Sequence, residues 1–282
     1  DAQATPTPTQ PEYGAKPSVK LPTSVFLTFK DGLYRYISRL VEVLKATDLR
    51  TSTKVLAIDK TDAEGEYAVH LETGETLQAD AVVVTTQTYE AANLLPDEIT
   101  EKEMLERVPY ISVATVLFAF DRGAFDYDLD ASGFLCPRGQ GTTITACTWT
   151  SSKWPHTATD GDLLLRFYVG RSGEEEIVEE SDEEIVRRVK QDFQQIMGIS
   201  VDPKFYRVTR MREAMPQYTV GHLDRVKAFN DAVAKKLPGV LFTGAGYNGL
   251  GIPDCIGHGV KAAEQVMEHL GLGQTHQTVA SV

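Results

Sequence analysis

Between Gly32 and Thr47 the apolar residues Leu33, Ile37, Leu40 and Leu44 recur at spacings of four, three and four, which predicts one amphipathic helix. The pattern then changes to short runs. TKVLAIDKT, EYAVHLETG and LQADAVVVTT read as three strands, with turn residues in DAEG and TGET between them. Ala81 to Val84 is continuously apolar, as expected of a strand covered on both faces. Residues 110–120, 143–150 and 163–169 are β-branched or aromatic and bounded by Gly, Asp and Pro, and they predict a second, mostly antiparallel sheet. Ser181 and Glu184 have the spacing of a capping box ahead of a helix with Ile185, Val189, Phe193 and Ile196 on one face and Gly198 as its stop. Last come a strand, GVLFTGAG, and a closing helix, IGHGVKAAEQVMEHLGL. Internal repeats are absent from the sequence, and the elements predict a mixed α/β (α+β) fold.

Composition narrows the function classes. The chain has 282 residues and a formal net charge of −12, which argues against a nucleic-acid surface spread over the molecule, so an anionic ligand needs a local basic pocket. Cys136, Cys147 and Cys255 are far apart and never in C-x-x-C spacing, so neither a disulfide framework nor a zinc site is expected, and a reducing cytoplasm fits best. Residues 1–21 are rich in Pro, Thr and Ala without periodicity and read as a linker or disordered arm; a chain opening on Asp1 inside such a stretch reads as a fragment.

The most pointed motif is LFTGAGYNGLGIPDC, residues 241–255, where Gly244, Gly246 and Gly249 have the G-x-G-x-x-G spacing of a dinucleotide fingerprint. That fingerprint requires a second strand ending in an acidic residue about 20 residues on. After the closing helix, GLGQTHQTVASV offers no convincing strand, and Pro253 falls where the helix would already be running, so the helix is expected to begin near Asp254. As a fingerprint the match is false. Its general physics survives, because small residues passing from a strand to a helix N-terminus leave backbone N–H groups free for a planar or anionic ligand. A tight turn without a ligand is the other reading.

Five segments together resemble one family. SGFLCPRG (132–139), ITACTWTSSKWPH (144–156), LLRFYVGRSG (164–173), AMPQYTVGHLDRV (214–226) and TGAGYNGLGIPDCIGHG (243–259) resemble the bacterial FAD-dependent porphyrinogen oxidases of haem synthesis, in particular the coproporphyrinogen III oxidases of Gram-positive type. The match runs from about Phe26 to Leu270 and makes the sequence look like the C-terminal portion of such an oxidase. The resemblance implies an FAD domain of glutathione-reductase type, contributed by residues 22–92 and 239–272, interleaved with a substrate domain at 93–238 and followed by a tail at 273–282. It implies FAD contacts at Val55 on the adenine side and at Ala245, Leu250, Gly251 and Ile252 on the flavin side. Met211 stands where relatives tend to carry Trp, and the thioether fills that space without an aromatic face.

The implied reaction oxidises coproporphyrinogen with dioxygen, giving hydrogen peroxide, and the cofactor carries the chemistry, so no residue is assigned as catalyst. Arg138, Arg166 and Arg171 are candidates for the substrate carboxylates, each with a scaffold ion pair as the bland alternative. Trp149, Trp154, Phe167 and Tyr168 are expected in the core, and His222 in a structural hydrogen bond. Protoporphyrinogen oxidation, another flavin amine oxidase-like reaction, and porphyrin binding without catalysis remain open. A cytoplasmic location is expected, with any peripheral membrane contact made by the portion of the family chain that is missing here.

Overall fold

The computed structural model describes residues 26–63, 65–126 and 131–272. The linker reading of residues 1–21 and the tail reading of 273–282 fall outside them. The chain separates after Thr47 into two units. In the first, α1 (Tyr34–Val43) is the amphipathic helix predicted from Leu33 to Leu44. Glu42 accepts hydrogen bonds from Arg35 and Arg39, and Phe29 stacks on Tyr36.

The second unit begins with a meander of β1 (Val55–Lys60), β2 (Tyr67–Leu71) and β3 (Thr76–Ala79), antiparallel throughout. LQADAVVVTT does not form one strand. It breaks at Asp80–Ala81, so that β3 closes the meander and β4 (Val82–Val84) enters a different sheet. The helices α2 (Thr88–Leu94) and α3 (Glu103–Glu106) follow.

A five-stranded antiparallel sheet comes next, built from β5 (Tyr110–Asp121), β6 (Gly133–Leu135), β7 (Ile144–Trp149), β8 (Asp162–Val169) and β9 (Phe205–Pro216), in the order β6-β7-β8-β5-β9. The short α4 (Thr150–Lys153) lies between β7 and β8, and α5 (Asp182–Met197) between β8 and β9. Alternation along the strands gives the sheet two unlike faces. Ala114, Val116, Phe118, Leu165, Phe167 and Val169 lie on the face toward α5, all at 0% exposure, and pack with Ile185, Val189 and Phe193 of that helix. Burial of each such side chain contributes about 1.5–3 kcal/mol. Half of the predicted capping box forms: Ser181 Oγ accepts from the Glu184 N–H, while the Glu184 carboxylate turns to Arg187 and Arg188, and Gly198 ends the helix at φ 72°.

The chain then returns through α6 (His222–Lys236), β10 (Val240–Phe242) and α7 (Ile252–His269). β10 pairs parallel with β4, placing residues 240–242 beside residues 82–84. A second core joins α2, α6 and this pair, with Phe229 against Phe242 at 5.0 Å. Among the described residues no helix is long and apolar enough to cross a membrane.

Candidate functional site

The parallel pair directs both strands toward one edge, where β4 continues into Thr85–Thr86 and β10 into Thr243–Gly244. In open α/β sheets the crevice beyond such carboxyl ends is where ligands bind. A cleft of about 460 Å³ follows β4 to this edge, lined by Val55, Val69, Val83, Thr85, Thr86 and Leu94. Val55, the residue expected on the adenine side, is therefore in its wall.

Each glycine of the turn after β10 has its own reason. Gly244 takes φ 126° beside the Thr85 carbonyl, a left-handed conformation that a side chain would strain. At Gly246 the backbone leaves no room: a Cβ there would stand 2.2 Å from Tyr110 Oη and 2.5 Å from Thr88 Cγ2. Gly249, at φ 78°, faces the Asp254 side chain. The helix starts at Ile252 rather than near Asp254, because Pro253 falls in the first turn, where its missing N–H costs nothing. The Gly251 amide donates to Asp254 Oδ2 at 3.2 Å. Leu250 and Ile252 on either side are 49% and 55% exposed, so the turn presents an open, apolar tip.

Tyrosines brace this turn from below. Tyr110 Oη accepts from the Thr88 N–H at 3.1 Å, tying the start of β5 to the start of α2. The Tyr218 hydroxyl donates to the Ala245 carbonyl, and the Tyr218 ring stacks on His222 at 4.1 Å with the planes 7° apart. Because a carbonyl only accepts, His222 Nε2 must carry a proton in its 2.9 Å contact with the Tyr247 oxygen, so the structural hydrogen bond expected of this histidine is present. Burial pushes the hydroxyl pKa of both Tyr218 and Tyr247 up. Tyr247 Oη and Thr88 Oγ1 are buried without a hydrogen-bond partner among the described residues. Such groups cost about 1–3 kcal/mol each if left unpaired, so this wall suits a ligand or ordered water bearing polar groups.

The other predicted residues lie on the large sheet. Met211 pairs with Val113 on β5 and is half-buried, on the face opposite α5. Arg166 is on that same face of β8, opposite Leu117. Arg138 and Arg171 share Glu174: Arg138 also donates to the Ser172 carbonyl, and the half-buried Arg171 to the carbonyls of Cys136 and Ile144. Both thus hold loops of their own chain. The bracing set Thr88, Tyr110, Tyr218 and Tyr247 was not legible in the sequence, since its members come from four separate segments. Asp254 carried a local signal, an acidic residue three positions after Gly251 at a helix start.

With this geometry in place, comparison with known proteins is decisive on family. Residues 12–267 match the family described as flavin containing amine oxidoreductase. The chain belongs to that family. Coproporphyrinogen III oxidase of Bacillus subtilis is 39% identical over 245 residues, covering 87% of this chain and 52% of that protein. The enzyme of the same name from Staphylococcus aureus is 33% identical over 249 residues, covering 88% and 53%. A crystal structure assigned as protoporphyrinogen oxidase from an Exiguobacterium superposes with TM-score 0.77 at 35% identity, over 89% of this chain and 54% of that one. Cyclohexylamine oxidase of Brevibacterium oxydans, at 16% identity, TM-score 0.68, and 85% and 53% coverage, shares the fold. The chain spans about half the length of the curated relatives it matches. The mixed α/β architecture expected from the sequence, with an antiparallel sheet beside a parallel pair, is that of this flavin oxidoreductase fold.

Proposed function

We propose that this chain forms half of an FAD-dependent, dioxygen-using oxidase that converts coproporphyrinogen III to coproporphyrin III. The observation that carries this reading is the 39% identity to the Bacillus subtilis coproporphyrinogen III oxidase, sustained across 87% of the chain. The turn after β10 supports it, because its glycines, open tip and unpaired buried hydroxyls suit a flat, polar-edged group. In this reading Val55 flanks the adenine side, while Ala245, Leu250, Gly251 and Ile252 meet the flavin ring, and Met211 borders the space in front of it. When bound, FAD would supply two-electron acceptance, used three times per porphyrinogen, with dioxygen as the final acceptor.

The chain's own part is binding and orientation. The start of α7 would offer its positive dipole end to a flavin edge that gains negative charge on reduction. Asp254 holds the Gly251 amide and so fixes the path of the tip. Tyr218, through the Ala245 carbonyl, fixes the other side of the turn. His222 keeps its Nε2 proton on Tyr247 and takes no proton from substrate at that nitrogen. We place the enzyme in the cytoplasm and the substrate domain within residues 93–238, between FAD-domain segments 22–92 and 239–272.

The test is turnover by the polypeptide encoded by the complete gene, offered coproporphyrinogen III, protoporphyrinogen IX or a primary amine in air. Porphyrin fluorescence should rise fastest with coproporphyrinogen III. Amine turnover without porphyrinogen turnover would overturn the reading in favour of an amine oxidase.

A further inference from the structure

Among the described residues, the large sheet has one face that is only partly covered. Opposite α5, Val113, Thr115, Leu117 and Ala119 of β5 align with Leu164, Arg166 and Tyr168 of β8 and with Phe205, Arg207, Thr209 and Met211 of β9. Leu117 is the centre of one row. Arg166 is its partner on one side and Arg207 on the other, while Thr148 of β7 extends the row beyond Arg166. Cross-strand partners share a face, so both guanidinium groups belong to this surface, with backbones about 9.5 Å apart, two strand spacings. The residues around them are apolar or aromatic: Leu164, Tyr168 and Phe205.

These two arginines differ from the rest. Among the described residues Arg166 and Arg207 have neither an ion pair nor a hydrogen bond, although every other arginine does. Arg35, Arg39, Arg50, Arg107, Arg187, Arg188, Arg210 and Arg212 are paired with carboxylates. Arg122, Arg138, Arg171 and Arg225 bond to backbone oxygens. In a chain with net charge −12 and abundant carboxylates, two unpaired guanidinium groups in one row, one of them half-buried mid-sheet, are not charge balance. The acidic residues at the far end of this face, Asp121 and Asp162, are already bridged by Lys204. The two unpaired guanidinium groups flanking Leu117 make this row locally positive, which suits an anion.

We infer that Arg166 and Arg207 form a carboxylate-binding row, on an apolar sheet platform, for two propionates of a tetrapyrrole substrate. This rests on the porphyrinogen oxidase reading and deepens it. The platform supplies apolar area for the macrocycle, and each guanidinium can hold one propionate by two parallel N–H donors.

The test uses the 282-residue chain, titrated with coproporphyrin III and with protoporphyrin IX by fluorescence, for the unmodified protein, Arg166→Gln, Arg207→Gln and the double variant. Arg187→Gln on α5 removes one positive charge from the other layer and serves as a control. A charged hydrogen bond lost without replacement corresponds to a weakening of about tenfold or more. Each single variant should weaken both porphyrins by that factor and the double variant by more, with the control unchanged. Arg207, exposed on β9, can be replaced without disturbing the core should Arg166→Gln unfold the sheet. Equal affinity of the double variant and the unmodified chain for coproporphyrin, no binding by the unmodified chain, or an equal loss in the control would each overturn the inference. If the arginine variants lose coproporphyrin as expected but the complete enzyme oxidises no porphyrinogen, the carboxylate row stands and the oxidase reading falls.

Discussion

Replacing Gly246 by Ala should destabilise the protein through two close contacts, the shorter of which a second substitution can relieve. The added Cβ would stand 2.2 Å from Tyr110 Oη and 2.5 Å from Thr88 Cγ2, while the Tyr110 ring carbon Cζ is at an acceptable 3.5 Å. Accommodating it requires the hydroxyl to move, which breaks the 3.1 Å hydrogen bond it accepts from the Thr88 N–H at the start of α2. Overpacking of this kind costs about 1–3 kcal/mol, and the lost hydrogen bond adds about 1 kcal/mol. Tyr110→Phe alone loses that hydrogen bond and should cost about 1–2 kcal/mol. In the double variant the hydroxyl is absent and only the Thr88 methyl contact remains, so the two effects should fall short of additivity by about 1 kcal/mol or more. Urea denaturation followed by circular dichroism on the four proteins gives the coupling directly. Additive costs, or a Gly246→Ala protein as stable as the parent, would refute the packing account of this glycine.

Asp192→Ala should cost about 2–4 kcal/mol, measured by the same denaturation, because its buried carboxylate accepts from the amides of Thr143 at 2.5 Å and Ile144 at 2.9 Å and the change leaves both unpaired. Hydrogen bonds from Arg187 and Arg188 hold the Glu184 carboxyl down at about 2, from an ordinary value of 4.5. A depressed carboxyl contributes stability that is complete above its unfolded value and lost as pH falls through the window from about 4.5 to 2, so Glu184→Gln should lower stability at pH 7, flatten the acid limb of the stability curve in that window and change nothing below it. Burial pushes the Cys147 thiol well up from its ordinary value and leaves it 3% exposed, whereas Cys136 and Cys255 are half-buried. Timed alkylation with mass spectrometry should therefore label Cys147 last and only on unfolding, and early labelling would contradict its placement.

Periodicity in the chain revealed those elements whose partners are nearby or whose pattern is strong. α5 was legible because Ser181, the Ile185–Val189–Phe193 stripe and Gly198 all agree locally. The break of LQADAVVVTT into β3 and β4 was not, because the choice of sheet depends on β10, more than 150 residues later. α6 was passed over despite Val226, Phe229 and Val233 at helical spacing, and β9 because its arginines, Arg207, Arg210 and Arg212, mask the strand alternation. Those arginines are the reason the open sheet face went unseen. Arg210 and Arg212 pair with Asp182 and Glu179, and only the cross-strand register separates them from Arg207. The glycine turn was found by its spacing, but its meaning came from packing: Gly246 exists for Tyr110, and Gly249 faces Asp254.

The central claim is that this chain is half of a flavin enzyme that takes electrons from coproporphyrinogen III. It is tested most directly by adding that porphyrinogen, without oxygen, to the flavin-loaded product of the complete gene while recording the visible flavin absorbance and porphyrin fluorescence. The account predicts that the flavin band bleaches without oxygen, and that the band returns and coproporphyrin fluorescence appears once air is admitted, because the six-electron oxidation takes three two-electron flavin cycles. A flavin band that stays oxidised in the presence of coproporphyrinogen would contradict it.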